Sequence, residues 1–177
     1  MQPNDYIKSP LERFKVLLVS CSMLFPLTSC NPTTQSPMST TSSEFLKANA
    51  QFYDALNQMF TGDSTGIHAI WSKSPDATYL GPYGEKMIGS TTILKAFDEV
   101  TKLELGGHIQ CEIIHSFMEG SMGYVMCEEI GENTDSEGNT FPVSHRATNI
   151  FRLENDGWKL MHHHTDISIQ LEEAREN

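Results

Sequence analysis

Residues 147–168 read ATNIFRLENDGWKLMHHHTDIS. Two strand-like runs flank Asn155-Asp156-Gly157, and a turn of that composition between such runs predicts a β-hairpin. The second run ends in His162, His163 and His164, followed by Thr165 and Asp166. Strand side chains alternate between faces, so His162 and His164 share one face and His163 takes the other. Ionisable groups on a sheet must face either water or an enclosed cavity, and that choice decides the chemistry. With Asn155-Asp156-Gly157 as the whole loop, Arg146 faces Asp166, Thr148 faces His164 and Ile150 faces His162. A loop that also takes in Glu154 shifts the register by one and sets His145, Ala147 and Asn149 beside His162 and His164 instead.

Working outward, period-two patterning predicts four strands over about 108–117, 122–130, 141–153 and 158–169. Their hairpin connections make the sheet antiparallel. Before them, 43–61 carries Phe45, Phe52, Leu56, Met59 and Phe60 at helical spacing, with Ser42 or Ser43 as N-cap and Gly62 as stop. A shorter helical patch covers 65–71, and 76–80 reads as a short strand ended by Gly81-Pro82. A second long helix over 90–103 has Ile93, Leu94, Phe97 and Val100 on one stripe, capped by Ser90 and closed by Gly106-Gly107. Helices followed by strands predict an α+β fold, a curved antiparallel sheet wrapped around N-terminal helices. Cys111 and Cys127 flank the turn signal Met118-Glu119-Gly120, and a three-residue loop there sets them opposite each other. A disulfide and two buried free thiols both fit that placement.

The chain ends differ in character from this core. Lys8, Arg13 and Lys15 precede an apolar run over 16–27 that stops at Leu27-Thr28-Ser29-Cys30. A run of about a dozen residues falls short of the roughly 20 that span a bilayer, so 1–29 reads as a secretory signal. Leu-Thr-Ser-Cys resembles the lipobox of bacterial lipoproteins, which makes Cys30 the expected lipidation site. The expected location is the cell envelope, as a membrane-anchored lipoprotein on a periplasmic or extracytoplasmic face. Residues 30–43 are Ser, Thr, Pro and Gln-rich and read as a tether, 44–170 as the domain, and 171–177 as an acidic tail. A net charge of −11 argues against nucleic acid and against an anionic lipid surface, leaving the lipid as the expected membrane contact. No internal repeat, Gly-rich phosphate loop or nucleophile elbow is present.

Several motifs, in this order, resemble the nuclear transport factor 2-like superfamily. They are Phe52-Tyr53-Asp54-Ala55-Leu56, Ile70-Trp71, Asp76-Ala77-Thr78 before Gly81-Pro82 and Gly89, Arg146 to Arg152, and Gly157 to His164. The match is closest to the SnoaL-like branch that also contains the association domain of calcium/calmodulin-dependent kinase II. The resemblance implies a cone, a bent sheet around long helices with a pocket at one end, and a homodimer packed sheet to sheet. It implies no single function, because the superfamily holds isomerases, dehydratases, cyclases, epoxide hydrolases and non-catalytic assembly domains.

An acid–base site of the ketosteroid isomerase type needs one base in an apolar cavity and a facing hydroxyl or acid donor. The candidates for catalysis are His162, His164 and Tyr53. The candidates for ligand binding are Trp71, Tyr79, Tyr124, Arg146, Thr148 and Asp166. An Arg146–Asp166 pair either orients His164 or staples the strand ends. His162 and His164 offer two metal ligands, and His145 adds a third only in the shifted register, so no metal and no cofactor is assigned. The leading expectation is a domain that binds a small, largely apolar molecule, with acid–base chemistry at His162 and His164. The alternative is a non-catalytic dimeric interaction module of the cell envelope, and the residues leave turnover open.

Overall fold

The computed structural model describes residues 37–135 and 137–167, which belong to one compact unit spanning Gln35–Asn177. The segment read as a secretory signal, the expected lipidation site Cys30 and the acidic tail lie outside the described residues. Helix α1 (Pro37–Met59) is followed by α2 (Thr65–Ile70), strands β1 (Thr78–Leu80) and β2 (Lys86–Ile88), and α3 (Ser90–Thr101). Four long strands then follow without interruption: β3 (Gly107–Glu119), β4 (Met122–Thr134), β5 (Thr140–Glu154) and β6 (Gly157–Ile167).

Helix α1 begins six residues before the expected start at residue 43, inside the segment read as tether. Proline suits the first helical turn, and extending an anchored helix backward costs far less than nucleating one. Ser42, Ser43 and Glu44 are exposed, so the part of α1 that builds the core still starts at Phe45. Helix α3 starts from Gly89 at φ 89°, with Ser90 buried inside the helix rather than capping it.

The sheet runs β2-β1-β6-β5-β4-β3 and does not close. Neighbours pair antiparallel except β1, which lies parallel to β6. Two bulges bend it, one extra residue at Ile114 in β3 and one at Met161 in β6. The helices fill the concave side. Phe45, Phe52, Met59, Ile67, Trp71 and Ile93 from the helical half meet Val125, Phe151 and Leu160 from the strands, all at most 2 % exposed. Gly123 on β4 permits this contact, because a Cβ there would stand 2.8 Å from the Phe45 ring. The result is the α+β cone expected from the order of elements.

Both hairpins turn more tightly than expected. Glu154 pairs with Gly157, so only Asn155 and Asp156 lie outside the ladder, one residue fewer than read from the sequence. The Met161 bulge then restores the expected partners, and Arg146 faces Asp166, Thr148 faces His164 and Ile150 faces His162. In the β3–β4 hairpin the turn is Gly120-Ser121, with Gly120 at φ 59°. There the expected pairing fails: Cys111 faces Glu129, and Cys127 faces Ile113. The thiols are diagonal neighbours, and both are free.

Candidate functional site

The bulge at Met161 sets which histidine enters the cone. Trp158 and Leu160 point inward before it, and His163 and Thr165 point inward after it, all at most 5 % exposed. From β5 come His145 and Asn149, from β4 Cys127 and Glu129, from β3 Cys111, and from α1 Asn49 and Tyr53. These side chains form one chain of polar contacts in an interior otherwise walled by Phe52, Tyr79, Phe97 and Trp71.

Glu129 is the centre of that chain and is 2 % exposed. Its Oε1 accepts from the Tyr53 hydroxyl at 2.9 Å, and its Oε2 accepts from Thr165 Oγ1 at 2.7 Å. Two imidazoles flank it, His163 Nε2 at 3.6 Å from Oε1 and His145 Nδ1 at 3.8 Å from Oε2. Asn149 ties the network to the helix: its Nδ2 donates to Asn49 Oδ1 at 2.9 Å and to the Tyr53 oxygen at 3.0 Å. With both amide hydrogens used, Asn149 Oδ1 accepts from His163 Nδ1 at 2.6 Å. The proton of a neutral His163 therefore sits on Nδ1, and Nε2 faces Glu129 as an acceptor. The pair has room for one further proton, between Nε2 and Oε1.

Burial dominates the electrostatics. It lowers the His163 pKa, opposed by the Glu129 charge and reinforced by the neighbouring histidines, so the ring is held neutral. For Glu129 burial pushes upward, but His145, His163, Thr165 and Tyr53 together hold the carboxyl below its usual range. Burial and the Glu129 charge push the Tyr53 hydroxyl well above its ordinary value, and burial with Glu85 does the same for Tyr79. At neutral pH the site thus pairs a buried carboxylate with a neutral imidazole and protonated phenols. It can accept one proton at His163 Nε2 with Glu129 behind it to stabilise the cation.

The expected site residues divide between the two faces of the sheet. Tyr53 belongs to the interior chain, Tyr79 stacks on His163 with ring centroids 5.7 Å apart, and Trp71 is part of the core wall. His162 and His164 lie on the outer face instead, because the bulge reverses the alternation between Leu160 and His163. His162 Nδ1 is 2.7 Å from Thr78 Oγ1, and its pKa is lowered by burial and by His164, which is exposed. Arg146, Thr148, Asp166 and Tyr124 are also on the outer face. Arg146 holds Asp166 through both oxygens, at 3.2 and 2.8 Å, with side chains 61 % and 43 % exposed. That exposure makes the pair a strand-end staple. Tyr124, Thr148 and Ile150 line a shallow apolar groove with Phe117, Met122 and Met126. The sequence reading missed Glu129, His163, Asn49 and Thr165, and it reached His145 and Asn149 only through the shifted register, which the pairing of β5 with β6 does not adopt. Alternation assigned His163 to the other face from His162, but no residue type announces a bulge. Among the described residues no three His, Cys, Asp or Glu side chains are grouped to hold a metal ion.

The family model of the SnoaL-like domain fits residues 46–170. The chain belongs to the SnoaL-like family. Solved structures share the cone at low identity. A putative dehydratase of the nuclear transport factor 2-like family from Streptomyces avermitilis is 21 % identical over 74 % of this chain and 98 % of its own, with a TM-score of 0.64. A nuclear transport factor 2-like superfamily protein from Salmonella enterica serovar Typhimurium is 14 % identical over 75 % and 95 %, with a TM-score of 0.65. A ketosteroid isomerase-like protein from Erwinia carotovora atroseptica is 18 % identical over 71 % and 95 %, with a TM-score of 0.61. Among curated proteins none matches this SnoaL-like chain.

Proposed function

We propose that this SnoaL-like domain binds a small, largely apolar molecule against the inner face of its sheet and performs acid–base chemistry there. The observation that carries this reading is Glu129, a carboxylate 2 % exposed that stays ionised beside a neutral imidazole and two hydroxyl donors. Burying a charge is costly unless it is closely paired, and strongly perturbed groups gathered on one face are candidates for a functional site. The roles follow from the hydrogen bonds. His163 Nε2 is the base and Glu129 stabilises its protonated form, while Tyr53, whose one hydroxyl hydrogen goes to Glu129 Oε1, holds that carboxylate in place. This moves the chemistry from His162 and His164 to the neighbouring ring. Tyr79 and Cys111 are only half-buried and mark where the network comes closest to solvent. The kinship of such sites with isomerases and dehydratases supports a proton transfer next to an activating carbonyl as the reaction class.

A thermal-shift screen against apolar carbonyl compounds tests it. A ligand at about 100 times its dissociation constant adds roughly 2.7 kcal/mol, an easily measured shift. The shift should vanish in His163→Gln and Glu129→Gln and survive in the outer-face pair His162→Gln with His164→Gln. Loss in the outer-face variant alone would overturn the assignment.

The second reading is the dimeric interaction module, favoured by the outer face. Ile114, Phe117, Met122 and Met126 are all more than 40 % exposed there, beside half-buried Tyr124 and Ile150. Contiguous apolar surface of this kind belongs to an interface, and a second copy packed face to face would cover it. The dimer is compatible with the inner site, because the two use opposite faces. The proposal keeps the lipid anchor at Cys30 and an envelope location, and it keeps the finer placement beside the kinase association domain on the motifs Phe52 to Leu56 and Arg146 to Arg152.

A further inference from the structure

Cys111 on β3 and Cys127 on β4 face the interior at the end of the polar chain, and no step proposed above uses them. They sit diagonally across the β3–β4 ladder, and each thiol is the other's strongest electrostatic neighbour. Asn49 Nδ2 donates to Cys111 Sγ at 3.4 Å, and the Tyr53 hydroxyl lies 3.1 Å from Cys127 Sγ. Cys111 is half-buried and within reach of a reagent, whereas Cys127 is 1 % exposed. We propose that Cys111 and Cys127 form a redox-active dithiol, with Cys111 attacking an incoming disulfide and Cys127 resolving the adduct.

The asymmetry of the two sites fixes the order. The interaction with Cys127 and the Asn49 donor outweigh burial and hold the Cys111 thiol below its ordinary range, which favours the nucleophilic thiolate. The neighbouring Cys111 and burial push the Cys127 thiol up, so it keeps its proton until the second step. In that sequence the Cys111 thiolate attacks one sulfur of R–S–S–R, an S–S bond breaks, and one RS group leaves. Cys127 sulfur then attacks Cys111 Sγ, and the second RS group leaves. The external disulfide gains two electrons and departs as two RSH, taking up the protons that the two cysteines lose. Diagonal positions on a flat antiparallel pair are spaced at about 7–8 Å between Cα atoms, and a disulfide needs roughly 4.4–6.8 Å. The Ile114 bulge adjoins Ile113, the residue facing Cys127, and bulges tighten local twist and give the strand room to adjust. Oxidation would also change the sulfur that lies 3.1 Å from the Tyr53 hydroxyl, linking the redox state to the residue that holds Glu129.

The test uses the full chain, reduced and then exposed in separate arms to oxidised glutathione and to a disulfide-form thioredoxin-fold oxidoreductase. After denaturation, remaining thiols are blocked with N-ethylmaleimide and the protein is cut with trypsin. No Lys or Arg lies between Lys102 and Arg146, so one peptide, 103–146, carries both cysteines. The expected peptide is unlabelled and lighter by two hydrogens than the reduced one. Cutting at Glu112 and Glu119 should leave its two cysteine fragments joined until a reductant is added. Closure in the glutathione arm assigns a small disulfide as sufficient, and closure in the protein arm alone assigns a partner protein. Two labels on the peptide in both arms, or a stable glutathione adduct on Cys111 with Cys127 labelled, overturns the proposal. Cys127→Ser should stop at a mixed disulfide on Cys111, and Cys111→Ser should leave Cys127 unmodified. An adduct on Cys127 in Cys111→Ser would overturn the order of attack.

Discussion

Acidification from pH 7.5 to 5.5 should destabilise the domain, and the loss should depend on His163. In the unfolded chain this histidine titrates near the ordinary value of about 6.5, whereas in the folded protein burial lowers its pKa. Below about pH 6.5 the unfolded state therefore binds more protons at this position than the folded state, and stability falls as pH falls. One proton is worth about 1.4 kcal/mol per pH unit once the unfolded ring is protonated and the folded one is not. Between pH 7.5 and 5.5 the His163 contribution is thus at most about 1.4 kcal/mol, or about 3–6 °C in Tm for a domain this size. Glu129 adds nothing in this window. Its folded pKa is lowered, so its stabilisation is complete above the unfolded carboxyl value and is lost only at lower pH.

The assay is calorimetric Tm at pH 7.5, 6.5 and 5.5 for the wild type and His163→Gln. The Gln side-chain amide can donate to Asn149 Oδ1 in place of the ring, and lost packing on Phe52 and Tyr79 lowers both ends of its curve alike. The half-buried His162 has a lowered pKa too and contributes in the same direction, but equally to both proteins. The difference between the two slopes isolates position 163. Parallel curves would refute the neutral buried ring. A steeper loss in the variant would mean that His163 carries a charge paired with Glu129, reversing the assigned protonation.

Gly123→Val should cost about 1–3 kcal/mol in urea unfolding, because its Cβ would press the Phe45 ring, itself held by Phe151 and Trp158. Phe117→Glu combined with Met126→Glu should leave Tm within a few degrees but shift the sedimentation coefficient from dimer to monomer, and an unchanged oligomer would remove the outer face as the interface. A double-mutant cycle on Arg146 and Asp166 should return under about 1 kcal/mol, since both side chains are exposed. Deleting Met161 should abolish cooperative unfolding by circular dichroism, while Met161→Ala should remain folded. A folded deletion variant would mean that the alternation in β6 does not depend on the bulge.

Most of the fold is legible because it rests on period and on turn residues. Phe45, Phe52, Leu56 and Met59 mark the buried stripe of α1, and the four long strands follow from alternation between Gly and Asn/Asp turns. Strand β2 escapes this reading, since three residues with one half-buried side chain carry no period. The parallel pairing of β1 with β6 escapes too, because it joins segments far apart in sequence and leaves no local mark.

The site is less legible for a reason of parity. Trp158, Leu160, His162 and His164 fall on one face of any regular strand, and the two apolar residues identify that face as buried. The inference to His162 and His164 is sound for a regular strand and fails only because Met161 is inserted between the two pairs. The insertion costs a ladder position and carries His163 into the cone, where Asn149 and Glu129 meet it. Glu129 was masked in the same way: Glu128 and Glu129 are equivalent by composition, and only the register of β4 against β5, with Cys127, Glu129 and Gly131 inward, separates them. One residue of slip exchanges a buried carboxylate for a solvated one. Handing the interior to His163 also frees His162 and His164 for the outer face, beside Thr148 and Ile150. If two copies pack there, these rings become interface groups. The same bulge then divides the three histidines between the proposed chemistry inside the cone and the proposed assembly outside it.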